Sequence, residues 1–158
     1  MNKYIESLSK VHNNVFVLTP LFIAFYKNVE PKPNNILLSY LVLPLVLYKV
    51  SQNKIRSSNA RSNIYTFLNS KEKSKRANVY GLPERVQEYK NITNQCLQYA
   101  IDNNWLQINE DLSVNVLEEQ NNKSNNLEVA FKASQKLCNI FKDLEVIEIY
   151  RLLGVKKL

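Results

Sequence analysis

The sequence predicts a mainly α fold with a small β-hairpin, a winged-helix-like α+β single domain. Two observations carry this: long stretches with helical periodicity and one short period-two segment between them, in a chain of 158 residues. At 45% hydrophobic residues, such a chain can bury one real core and leaves little room for a second. Residues 1–158 are therefore expected to form one unit, with residues 1–13 as a flexible arm, 54–80 as a basic loop region and 119–126 as a loop.

In chain order, Thr19-Pro20 reads as an N-cap followed by proline at the first helical position, where its missing N–H costs nothing. A helix from Pro20 to about Val29 follows, and PKPNN ends it because a residue before proline avoids the α region. The apolar run from Ile36 to Tyr48 is too long for an ordinary strand and reads as a buried helix bent at Pro44. SQNKIRSSNARSN is polar; Ile64, Phe67 and Leu68 then mark a short amphipathic helix. From Pro83 to about Asn104, Val86, Tyr89, Ile92, Cys96 and Ala100 recur every three or four residues, which predicts a long helix.

Trp105 to Ile108, the turn-rich Asn109-Glu110-Asp111, and the alternation from Leu112 to Val116 predict a hairpin. A helix running into a hairpin is the order found in winged-helix domains, and equally that of a plain hairpin covering one edge of a core. Beyond QNNKSNN, a loop within a chain that is asparagine-rich throughout, apolar residues from Leu127 to Leu144 follow a helical template. A last helix, VIEIYRLL, closes at Gly154, as expected where the chain turns left-handed.

The two apolar runs, 15–26 and 36–48, are each shorter than the roughly 20 residues a spanning helix needs, and the proline-rich segment between them prevents their fusion. The polar, partly acidic N-terminus has no signal-peptide pattern, so a cytoplasmic protein without a membrane role is expected. LVLPLVLYK, that is Leu41, Val42, Leu43, Pro44, Leu45, Val46, Leu47, Tyr48 and Lys49, is a candidate for core or for a partner interface.

Charge is the other strong signal. The formal net charge is +7, and the segment 54–76 holds seven bases (Lys54, Arg56, Arg61, Lys71, Lys73, Lys75, Arg76) against the single acid Glu72. These seven are the candidate contacts for nucleic acid or for an acidic partner surface, since such a patch can neutralise phosphates; a solvated basic loop would read the same way.

Chemistry is sparse by comparison. There is no GxxxxGK[ST] or GxGxxG loop to cradle a nucleotide phosphate. Cys96 and Cys138 lie far apart among apolar helical positions and read as buried free thiols, and His12 sits in the polar N-terminal stretch. No catalytic, cofactor-binding or metal-binding residues are expected, and no enzyme.

Several segments in order, TPLFIAFYKNV, LVLPLVLYK, IYTFLNS, RVQEYKNITNQCLQYAIDNNWLQI and the closing RLLGVKK, resemble the middle-component family of bacterial three-component ABC systems. The likeness runs from about residue 14 to the end. It implies a non-catalytic linker or adaptor subunit without cofactors. Its partners would be an ABC-type, SMC-like ATPase and an effector component in anti-phage or anti-invader defence, with nucleic acid reached through the complex and self-association left open. The alternative is a free-standing winged-helix DNA-binding regulator. Against that, the helix before the hairpin carries Glu84, Glu88 and Asp102 but only Arg85 and Lys90, a poor surface for phosphates.

Overall fold

The computed structural model describes residues 13–69 and 77–158; the expectations for the N-terminal arm, His12 and the middle of the basic loop lie outside the described residues. The fold is mostly helical with one two-stranded antiparallel sheet, a small α+β arrangement. In chain order it comprises α1 (Val15–Lys27), a 3-10 turn (Asn35–Leu38), α2 (Ser39–Val46), α3 (Lys49–Arg56) and α4 (Ile64–Leu68). After a second 3-10 turn (Ala77–Val79) come α5 (Leu82–Asp102), β1 (Leu106–Ile108), β2 (Val114–Val116), a third 3-10 turn (Asn125–Leu127), α6 (Glu128–Lys136), α7 (Cys138–Phe141) and α8 (Val146–Leu153).

The apolar character of α1 and α2 on all faces follows from where they sit. Helix α1 packs on α5, on α6 and on β2, and α2 packs on α5, so residues 18–26 and 41–46 have no face left for water. Leu18, Phe22 and Phe25 of α1 and Leu41, Val42, Leu43, Leu45 and Val46 of α2 are all fully buried in one cluster with Cys96, Ala133 and Ile149. Phe25 meets Phe141 edge to face at 6.0 Å, joining α1 to α7. Among the described residues no single helix is long and apolar enough to cross a membrane; the bent pair 35–46 and 49–56 passes such a test only when its two halves are taken together.

The start of α1 differs from the expectation. The helix begins at Val15, capped by Asn14, whose side-chain oxygen accepts from the Phe16 N–H at 3.0 Å. Thr19 caps nothing: it lies buried inside the helix and its hydroxyl donates to the Val15 carbonyl at 2.6 Å. Pro20 is interior too, and the carbonyl its missing N–H leaves free is that of Phe16, in the solvent-facing first turn.

The bend in the second apolar run also falls elsewhere. Helix α2 runs through Pro44 and stops at Val46; the chain then turns by 106° through an extended Tyr48 into α3, a helix built from residues that read as polar loop. The cause lies in the last-turn carbonyls, which a continuing helix would have bonded itself. Leu43 O accepts from the Leu47 N–H, Pro44 O from Arg85 Nε at 3.1 Å, Leu45 O from the Ser51 hydroxyl, and Val46 O from Gln52 Nε2 at 2.7 Å. With every terminal acceptor satisfied, the corner is a stable stop, and Pro44 is a passenger within the helix.

Asn63 and Thr66 form a reciprocal capping box on α4. Gly81, at φ 66°, starts α5 in a left-handed conformation, and Gly154, at φ 75°, closes α8 the same way. The C-terminal helical stretch is divided at Leu137 into α6 and α7 and ends at Phe141, with Asp143 left-handed, short of the predicted Leu144.

The hairpin pairs Leu106 with Val116, Gln107 with Asn115 and Ile108 with Val114. Leu112 and Ser113 belong to its turn, because Leu112 takes φ 63° and cannot continue a strand. That conformation lets the turn dock: the Asp111 and Leu112 carbonyls accept from the N–H groups of Asn34 and Ile36 at 2.9 and 3.1 Å. The buried Asn35 side chain accepts from the Val114 N–H at 2.8 Å, while Tyr26 Oη donates to the Asn35 carbonyl at 2.9 Å. The hairpin thus covers one edge of the core and is fixed to the 34–36 turn at its tip.

Candidate functional site

Leu41, Val42, Leu43, Pro44, Leu45 and Val46 are buried core; Leu47 and Tyr48 are half-buried and only Lys49 is exposed. Even the Tyr48 ring is covered, since the Arg85 guanidinium stacks over it with its carbon 3.9 Å from the ring centre. Burial lowers the Arg85 pKa from its ordinary value. The thiols are subdued as well: Cys96 is buried beside Thr19 and burial pushes it up to about 11, and Cys138, half-buried, is also raised by burial. Among the described residues no three His, Cys, Asp or Glu side chains come together as a metal site.

The basic segment has a different fate. Lys54 and Arg56 lie on the last turn of α3 and Arg61 on the following loop, all three exposed; Lys71, Lys73, Lys75 and Arg76 lie outside the described residues. Because α3 packs on α6, these side chains do not stand alone. Asn53, Arg56, Ser57, Lys132, Gln135 and Lys136 line a shallow cleft of about 420 Å³ between the two helices. Lys136 Nζ donates to the Arg56 carbonyl at 2.8 Å, and Lys142 Nζ to the Ala60 carbonyl. Lys136 therefore complements the negative end of α3, Lys142 holds the loop that follows it, and the two bring two more charges to the face. Ser58 ties the layer together, donating to the Lys136 carbonyl at 3.5 Å and accepting from Asn139 Nδ2 at 3.2 Å.

Two ion pairs occur among the described residues: Lys27 with Glu119, and Lys132 with Glu128 at 2.8 Å. Lys54, Arg56, Arg61, Lys136 and Lys142 have no carboxylate partner among the described residues, and the cleft's other lining groups are Lys132, paired with Glu128, and the neutral Asn53, Ser57 and Gln135. No large apolar side chain is exposed in the cleft lining. Such a surface offers donors and positive charge with no apolar anchor, which suits phosphate oxygens or clustered carboxylates.

Sequence reading found Lys54, Arg56 and Arg61 but missed the lysines some 80 positions away that join them. Their signal was present: Lys132, Gln135, Lys136 and Asn139 recur at helical spacing opposite the apolar stripe of Ala130, Ala133 and Leu137.

Fold and site together define a basic, mainly helical α+β protein whose gathered side chains are cations and hydrogen-bond donors. Over residues 3–157 the chain matches the family model described as ABC-three component (ABC-3C) system Middle Component 3, and it belongs to that family. Other components of a three-component ABC system are accordingly its partners. No curated protein matches the chain, and no solved structure does.

Proposed function

We propose that this middle component is a non-catalytic adaptor that couples an ABC-type, SMC-like ATPase to an effector in a bacterial defence system against phage or other invading DNA. The observation that carries this reading is the family match over residues 3–157. The basic face supports it, because an adaptor beside an ATPase that senses DNA would meet phosphate backbone there. Coupling requires a partner that binds two states of the ATPase differently, so the adaptor contributes only as much as its own contacts differ between those states.

The regulator alternative gains no specific support. The helix before the hairpin, α5, has its one arginine turned onto Tyr48 and Pro44, and the hairpin tip is held against residues 34–36. The adaptor reading is tested by co-expressing the neighbouring genes with a tag on this chain and identifying what co-purifies by mass spectrometry. Recovery of an ABC-type ATPase together with a second component supports it. A lone chain that binds duplex DNA with a steep salt dependence points to the regulator instead.

A further inference from the structure

Helix α8 is amphipathic, but its outward face is not wholly polar. Val146, Ile149 and Leu153 are buried, whereas Ile147 is 78% exposed and, with Tyr150 and Arg151, forms a stripe at helical spacing. That stripe is one wall of an open trough of about 800 Å³. Pro33 and Leu37 form its other wall, and Val155 and Leu158 its end.

One hydrogen bond joins the two walls and two more fix the end of the chain beside them. The Tyr150 hydroxyl donates to the Leu37 carbonyl, the Val155 N–H to the Tyr150 carbonyl at 3.1 Å, and Gln87 Nε2 to the Lys157 carbonyl at 3.2 Å. A trough held open in this way takes a ligand without first reorganising.

Its charge selects the occupant. Arg151, Lys156 and Lys157 border the trough, and none has a carboxylate partner among the described residues. One carboxylate also borders the trough, Glu145 at the opposite, N-terminal end of α8, where it and Glu148 are engaged in the helix's reciprocal capping box. With three cations against one carboxylate held in a cap, the trough is apolar in its floor and net positive at its rim, most strongly at the C-terminal end of α8.

We propose that this trough receives an amphipathic helix from another component of the same system, with apolar side chains facing Ile147 and Leu37 and acidic residues flanking them. Helix α8, eight residues and so about 12 Å long, matches two to three turns of such a helix, enough for anchors at i, i+3 or i+4, and i+7. This rests on the adaptor reading and gives it a second surface, sharing no residue with the basic cleft between α3 and α6.

The test uses the co-expressed components with the tag on this chain. Ile147→Glu is expected to lower recovery of one component at least about tenfold, as for loss of a central anchor, with the thermal melt of the isolated chain unchanged because the side chain is exposed. The double change Lys156→Glu and Lys157→Glu is expected to lower recovery of the same component, and Leu117→Glu, exposed near the hairpin, to leave it intact. Undiminished recovery with Ile147→Glu overturns the trough proposal while leaving the adaptor reading in place. Loss with Ile147→Glu but none with the double lysine change overturns the acidic occupant. A wild-type dimer that Ile147→Glu dissociates shows a second copy in the trough and likewise overturns it. Failure of the wild type to recover any other component removes the adaptor reading and the proposal with it.

Discussion

Arg85→Met is the sharpest test of how the corner between α2 and α3 is built. Arg85 donates through Nε to the Pro44 carbonyl at 3.1 Å and through Nη1 to the Tyr80 carbonyl, and its guanidinium lies 3.9 Å from the centre of the Tyr48 ring. Methionine keeps most of the aliphatic stem but none of these contacts. Each charge-assisted bond is worth about 1 kcal/mol at this half-exposed position, at the low end of the usual range, and the ring contact about 1 kcal/mol more. Against this stands the cost of partly desolvating the cation and of leaving Nη2 buried without a partner, which the substitution relieves. The net expectation is a loss of about 2 kcal/mol, or roughly 4–8 °C in Tm for a chain of this size. Arg85→Lys, which keeps the charge over the ring but not the fork, is expected to lose about half of that. Urea unfolding monitored by circular dichroism measures both, with an unchanged m-value as the sign that only stability moved. A methionine variant within about 0.5 kcal/mol of wild type, or a lysine variant as damaged as it, would refute the capped-corner account.

Three further outcomes follow from other parts of the molecule. Asn35→Ala leaves the Val114 N–H buried without its acceptor and is expected to cost about 1–3 kcal/mol, with amide exchange accelerated first in the hairpin; uniform acceleration across the fold would contradict the clamp. Cys96 holds its proton to about pH 11 when folded against an ordinary 9.0, so its contribution is intact below pH 9 and is lost as pH rises from 9 to 11; Cys96→Ala is expected to flatten the stability profile over that range, and Cys138, half-buried, to be alkylated before Cys96 in the native protein. Neutralising Lys54, Arg56 and Arg61 together is expected to reduce the salt slope of duplex DNA binding by roughly 0.9 for each phosphate contact removed, measured by fluorescence anisotropy; an unchanged slope assigns the phosphate contacts to other residues.

Much of the fold was legible because its strongest signals are local. The apolar periodicity of α5, the alternation around Val114 and the glycine after Leu153 each depend on a few neighbouring residues. What escaped depends on residues distant in sequence. The break after Val46 is set partly by Arg85, 41 positions from the carbonyl it caps, so Pro44 attracted the prediction that belonged to Tyr48. The start of α1 was misplaced because Thr19-Pro20 has the form of a cap but lies inside the helix, whose cap is Asn14 and whose residues 18–26 are buried against neighbours distant in sequence. The basic face was half legible for the same reason: Lys54, Arg56 and Arg61 are neighbours in sequence, whereas Lys136 and Lys142 reach them through the packing of α6 and α7 on the preceding elements.

The central claim is that this chain bridges two partners, and the most direct measurement is mass photometry of the purified ATPase and effector components, mixed with and without it. The account predicts that the two associate only when the chain is present, in a complex containing all three. Association of the two others at the same strength in its absence would contradict the claim.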